Sequence, residues 1–361
     1  RKKNQENDWT ALDQKHPVYN FLIEYYGLKG LKGPKQLARW SPSVGLLLKS
    51  KRKTIESIEE FEEASAAYTT KNICHTEKDG ILLEGATDDD FASSLHLRGA
   101  NVIENEGVLY SPAVYYGKND PSRIRENTKS ATPFLWYKSV LTQTLKAEPV
   151  LHCHGLHEWA MQYHPNGAPP PPSAKYQSHL KLRVSREVIN NAVERRGVSC
   201  THVDALRYFA PAAASLNHHG ASLQRIDQLR LEQPACVHAH MDLLKICLKL
   251  RPFNDPVLLQ RVLEVALKAR RLDVAASPYD ASSYGVDVVP IETEQGRSEY
   301  RKQQKALMQH ADVVRQDLLL AYEHFLPMAF HEDSIRQAID KPQSERFAKS
   351  EPGGLPWRKN L

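Results

Sequence analysis

Apolar side chains recur at three- and four-residue intervals over much of this chain, and that spacing predicts a mainly helical fold with a few short strands. A first helix is expected from about Asp13 to Tyr26, carrying Tyr19, Phe21, Leu22, Tyr25 and Tyr26 and ended by Gly27 and Gly30. A second, amphipathic and acidic on its outer side, is expected from Thr54 to Tyr68. Between Lys71 and Tyr116 the pattern shortens to runs such as Gly80-Ile-Leu-Leu-Glu84 and Gly107-Val-Leu-Tyr110, which predict small strands or irregular loops. Helical spacing resumes from Pro133 to Ala147, from Glu187 to Arg195, and at about 203–215, 236–250 and 256–271, with a long last helix from Gly296 to Phe325. Leu180 to Val184 alternates like a strand. The four prolines at 169–172 make 164–176 an extended surface loop, a form that a proline-reading partner also recognises. The expected organisation is a polar tail at 1–12, one mainly helical domain at 13–326 with a motif core at 150–310, and a polar C-terminal tail at 327–361.

Composition narrows this picture. The chain has 361 residues, 41% of them hydrophobic, and no apolar run of eighteen or more, so no membrane span is expected and a soluble protein is. Five cysteines, an odd number without a CxxC pair, argue against a disulfide framework or a zinc ribbon and for a reducing, intracellular compartment. An upstream targeting segment is compatible with a chain that opens at Arg1. The net charge of +5 is uneven: Lys29 to Lys53 holds eight basic residues and no acidic one, which suits either a solvated face or contact with nucleic acid, anionic lipid or phosphate. Neither GxGxxG nor GxxxxGK[ST] occurs, so no nucleotide cofactor is indicated.

The chemistry concentrates in three segments. Leu151-His-Cys-His-Gly-Leu-His-Glu-Trp-Ala-Met161 packs three histidines, a cysteine and a carboxylate into an otherwise apolar run. On a helix, His154, His157, Glu158 and Met161 would share one face. Cys200-Thr-His-Val-Asp204 and Cys236-Val-His-Ala-His-Met-Asp242 repeat the association. His238 and Asp242 are four apart and align on a helix, whereas His202 and Asp204 align only on a strand or turn. Buried imidazoles and carboxylates are costly unless paired, hydrogen-bonded or ligating.

Two chemistries fit. In one, His157, His202 and His238 bind a divalent zinc, iron or manganese ion in a helical bundle while a carboxylate among Glu158, Asp204 and Asp242 serves as base. In the other, no metal is needed: Asp204 or Asp242 activates water and His157 or His202 orients it or acts as the acid. Trp159, Arg207, Tyr279 and Asp280 are candidates for substrate contact, and Trp159, Tyr163, Tyr208 and Phe209 supply the aromatics a flipped base would need. The same His–Asp pairs would also serve as helix fasteners without turnover.

Several runs together resemble a family: Gly155-Leu-His-Glu-Trp-Ala-Met161, Thr201-His-Val-Asp-Ala-Leu-Arg-Tyr-Phe209, Leu231-Glu-Gln-Pro234 with His238 and Met241-Asp242, Ala276-Ser-Pro-Tyr-Asp280, and Ile291-Glu-Thr with Gly296-Arg-Ser-Glu-Tyr300. They are similar to the group labelled "3-methyladenine DNA glycosylase", whose opening is also resembled by His16-Pro-Val-Tyr-Asn-Phe-Leu22 and Leu37-Ala-Arg-Trp40. The resemblance implies a hydrolase-like enzyme acting on a small molecule or, if the label reflects the activity, a base-excision glycosylase gripping phosphates through Lys29 to Lys53. A non-catalytic subunit on the same scaffold is a further implied reading. The chain departs from the family pattern at His154, where the family has an aromatic, and at His240, where it has Asn, so neither is expected to be essential.

Overall fold

The computed structural model describes residues 11–30, 112–118, 120–168 and 179–340, with isolated short stretches at 33, 37, 48–49, 81–82, 101–103 and 107–109. The expected helix at 54–68, most of the basic stretch at 29–53 and the proline run at 169–172 lie outside the described residues.

The fold is mainly α-helical. In chain order the helices are α1 (Asn20–Glu24), α2 (Pro112–Tyr116), α3 (Ile124–Lys146), α4 (Leu156–Met161), α5 (Arg186–Glu194), α6 (Val203–Leu206), α7 (Pro211–Ala214), α8 (Gln228–Leu231), α9 (Val237–Lys249), α10 (Pro256–Ala275), α11 (Glu294–Ala329) and α12 (Glu332–Asp340). Between α1 and α2, Leu48–Lys49 pairs in parallel with Ile81–Leu82, and Asn101–Ile103 pairs antiparallel with Gly107–Leu109.

The long helix α11 is the spine. Tyr300, Gln304, Leu307, Ala311, Val314, Leu318, Tyr322, Phe325 and Ala329 recur at threes and fours and are buried, giving one continuous apolar stripe. Against it pack α10, α3, α9 and α2, while α9 and α10 also pack together and α12 lies on α3. At one end the stripe closes in an aromatic cluster in which Phe325 lies 4.9 Å from Phe134, 5.7 Å from Tyr116 and 6.0 Å from Phe253 between ring centroids. At the other end Gln304 Nε2 donates to the Ala235 carbonyl at 2.8 Å and approaches Val150 O and Cys153 Sγ at 3.4 Å, so α11 also knits two histidine-bearing segments.

Differences from the sequence expectation have local causes. Helix α3 begins nine residues before Pro133 and runs through it, although an interior proline lacks the N–H for the preceding turn. The expected helix at 203–215 is two short ones, because Pro211 starts a new turn and Ala210, at ψ 140, leaves helical geometry. The alternating run at 180–184 contributes a single bridge, Leu182 to Tyr279, and the chain after Pro327 is not all tail: α12 buries Ser334 and Ala338. The first helix is shorter than its pattern, with turns preceding Asn20.

Phe325 is fully buried at the centre of the aromatic cluster, so Phe325→Ala should destabilise the fold by about 3–5 kcal/mol. Urea unfolding would show this as a lower midpoint at unchanged slope. A loss below about 1 kcal/mol would mean that the cluster collapses around the gap.

Candidate functional site

Each of the three histidine segments delivers its imidazole at the start of a helix. Before α4 the backbone passes through two left-handed residues, His154 at φ 48 and Gly155 at φ 67. The turn removes His154 from the face of α4 and points its ring toward Tyr300, 6.2 Å away between centroids. A side chain at Gly155 would be strained by that φ and would meet Ala276 Cβ and Tyr300 Oη at 3.5 Å. His157 and Glu158 then occupy the first turn of α4, both buried. His202 is the extended residue preceding α6, with φ −95 and ψ 118, so it and Asp204 diverge. His238 is the second residue of α9.

The three imidazoles converge. His238 is edge-on to His157 with ring centroids 4.4 Å apart and stacks on His202 at 4.9 Å. Around them lie two groups whose ligating atoms sit within 4.8 Å of one another: His157, His238 and Asp273, and His202, Glu232 and Asp242. His157 Nε2 pairs with Asp273 Oδ1 at 2.8 Å, and neither atom has another hydrogen-bond partner among the described residues. With His238 they form a set of donor atoms of the types that could hold a metal ion. Asp242 is four residues from His238 on α9, but its carboxylate turns to His202 Nε2 at 3.5 Å and to Lys245 Nζ at 2.6 Å.

Arg270, which is buried on α10, braces this arrangement. Its guanidinium donates to Asp273 Oδ2, to Glu158 Oε1 at 3.1 Å and to the Pro17 carbonyl at 3.1 Å. Asp273 therefore has one oxygen held and one facing the imidazoles, the form in which an outer partner orients a metal-ligating carboxylate. Trp159 is wholly buried, with its indole N–H on the Ala276 carbonyl at 2.8 Å. Over its ring, at 5.4 Å, lies the Arg183 guanidinium, itself clamped by Glu292 at 2.6 and 2.9 Å and by Ser277 O at 3.0 Å.

Electrostatics divide the titratable groups. Burial, reinforced by His157 and His202, holds His238 well below its ordinary value, so the ring is neutral as a ligand must be. Burial opposes protonation of His157 and His202 too, but Asp273 on the first and Glu232 with Asp242 on the second outweigh it and raise both. Burial raises Glu158 and Glu232 above the usual carboxylate range. Burial would raise Asp242 and Asp204 as well, yet Lys245 and the neighbouring cations hold both below it. His240 and His154 are driven down to about 3 and about 4 by burial, and His240 is spent on the Pro234 carbonyl at 2.7 Å.

The other candidates lie at the margin of this centre or play packing parts. Asp204 pairs with Arg207 at 2.9 Å and with Arg225 at 3.5 Å. Tyr279 is buried and its hydroxyl accepts from Gln162 at 3.0 Å. Asp280 is exposed and caps a turn through Ser282, at 3.0 Å to the amide and 2.6 Å to the hydroxyl. Trp159, Tyr163 and Phe209 belong to the hydrophobic core.

No family, no curated protein and no solved structure matches this chain.

Asp273, Glu232, Arg270 and Lys245 were not among the sequence candidates. Asp273 lies on α10 two residues past the expected end of that helix, and Arg270-x-x-Asp273 is an i, i+3 pair that reads as an ordinary surface contact. Glu232 lies within the Leu231-Glu-Gln-Pro234 run, where an acid beside a proline-ended turn was the available signal.

Two outcomes follow. Replacing Arg270 with Met leaves two buried carboxylates without their cation and should cost about 3–5 kcal/mol, with Lys restoring only part. A near-neutral Arg270→Met variant would show that the guanidinium is dispensable. In the Arg183 clamp, burial raises Glu292 but the paired guanidinium outweighs it and lowers the carboxyl. A depressed carboxyl contributes stability above its unfolded value of about 4.3 and loses it as pH falls. The gap in urea midpoint between the parent and Glu292→Gln should thus be widest near neutrality and close in acid; a gap constant to pH about 3 would show that charge does not hold the clamp.

Proposed function

We propose that this protein is a metal-assisted, hydrolase-like enzyme acting on a small molecule, and that the motif resemblance to the family labelled 3-methyladenine DNA glycosylase marks a shared scaffold. The reading rests on one observation: His157 Nε2 and Asp273 Oδ1, buried and paired among the described residues only with each other, converge with the neutral His238 ring. Two imidazoles and a carboxylate in a helical setting suit zinc, iron or manganese and leave coordination positions for water or substrate.

Charge supports the fit. Four buried carboxylates, Glu158, Glu232, Asp242 and Asp273, share this space with two fixed cations, Arg270 and Lys245. With all four ionised and all three imidazoles neutral, the shortfall of two positive charges equals one divalent ion. Such an ion supplies Lewis-acid polarisation of a substrate oxygen and brings the pKa of a bound water toward 7.

The chain's own groups divide the remaining work. Glu158 is the proton acceptor, because its raised affinity for a proton sets it apart from Asp204 and Asp242, which cations keep ionised. Arg270 tethers Glu158 and Asp273 together and fixes their separation. Asp242 and Lys245 position His202, and Asp204 with Arg207 and Arg225 forms the half-exposed polar margin beyond them.

Elemental analysis of protein purified without a metal-affinity tag should find bound zinc, iron or manganese, and Asp273→Asn and His238→Gln should lose it while staying folded. Glu158→Gln should keep the ion yet lower hydrolysis of any substrate found by screening by about 10²–10⁴-fold. Folded, metal-free parent protein that cannot be reloaded would end the metal reading and leave the His–Asp contacts as helix fasteners. Release of alkylated bases from DNA, tested alongside, would move the reading to the glycosylase activity.

A further inference from the structure

We infer that the centre holds two divalent ions, the second on His202, Glu232 and Asp242, and that this second ion enters together with an anionic ligand. The inference rests on the metal reading above and goes beyond it in number and in substrate class.

The second group stands on its own geometry. His202, Glu232 and Asp242 each offer one atom within 4.8 Å of the others, and all three are buried. His202 is 3% exposed; its Nδ1 has no hydrogen-bond partner among the described residues, and its Nε2 has the long contact to Asp242 at 3.5 Å. A buried imidazole with one nitrogen unpartnered and the other on a long contact is an expensive arrangement, and coordination relieves it. Glu232, also 3% exposed, receives the Gln228 amide at 3.0 Å, a neutral donor, and has a second carboxylate, Asp242, beside it. His238, from the first group, stacks on His202, so the two sets of ligands are neighbours rather than separate sites. Paired ions bridging one substrate are a recurrent hydrolytic arrangement.

The two positions are unequal. Asp273 presents an oxygen that Arg270 does not use, whereas Asp242 Oδ2 already carries Lys245 Nζ at 2.6 Å. A second cation must bind against that ammonium and is the weaker. It also turns the balance of the centre from neutral to two positive charges, which a hydroxide and an oxyanion of the substrate offset. An anionic substrate such as a phosphate ester is the class that this charge selects.

The experiment is a Mn²⁺ titration of the metal-free 361-residue chain, followed by binding stoichiometry and electron paramagnetic resonance, with and without inorganic phosphate. Two ions are expected, the second in a weaker phase that phosphate tightens, and the isolated-ion spectrum should give way to an exchange-coupled one as that phase fills. Glu232→Gln should bind one ion and never show coupling, and His202→Gln should do the same if the first variant fails to fold. Saturation at one ion, or two ions in both variants, overturns the inference and leaves the one-ion reading intact. No binding to folded parent protein removes both, and a second phase indifferent to phosphate removes the anionic-substrate clause.

Discussion

The Arg270 guanidinium is the constraint on which the rest of the centre depends. It is a buried cation that reaches Glu158 on α4, Asp273 on its own helix and the Pro17 carbonyl of the N-terminal segment. Burying an ionised guanidinium and two carboxylates is expensive, and it is tolerable here because the planar fork satisfies several acceptors at once. The network is weak evidence for net stability, but it dictates relative position. Glu158 sits next to His157 in the chain, and Asp273 faces His157 in space, so one bridge sets both neighbours of that imidazole.

The polar centre also depends on an apolar frame that prevents it from relaxing. Gln304 and Tyr300 reach it from α11, the same helix whose far end is locked by Phe325 and Tyr322. Two phenols further pin α9: Tyr26 donates to Met241 O and Tyr322 to Ile246 O, both at 2.8 Å. The rotation of α9 about its axis is thereby fixed, which decides that His238 meets the His157 side while Asp242, one turn on, meets His202. A protein interior packed to near-crystalline density resists displacement of such placements.

The helical character and the long helices α9, α10 and α11 were legible because each carries a buried stripe several turns long, so that periodicity averages over local exceptions. Short elements were not. Periodicity has no purchase on four residues of α6, and the proline rule that places Pro133 at a helix start ignores the tertiary packing of Phe134 and Trp136, which carries α3 through it. At the centre, the three histidines stood out because imidazole is conspicuous in an apolar run. Asp273 did not, because an acid three residues from an arginine is what solvent-exposed helices show everywhere, and only the fold reveals that this pair is buried. The helical face expected of His154, His157 and Glu158 failed on a backbone event: His154 and Gly155 are successive left-handed residues, and sequence spacing contains no record that a histidine takes that conformation.

Charge balance connects the folding problem to the chemistry. The deficit around the imidazoles can be met by two protons, on His157 and His202, whose proton affinities are raised, or by one divalent ion with both rings neutral. These are alternative ways of satisfying the same buried carboxylates, so the metal-free chain has a route to a folded, protonated centre and an ion entering it must displace protons. His238 takes no part in that exchange. It lies between the two rings that do, near the N-terminus of a 13-residue helix, where the backbone dipole further disfavours an imidazolium. Burial is the largest cause of its lowered proton affinity, and the neighbouring imidazoles add to it, so a proton gained on either side of His238 reinforces its neutrality.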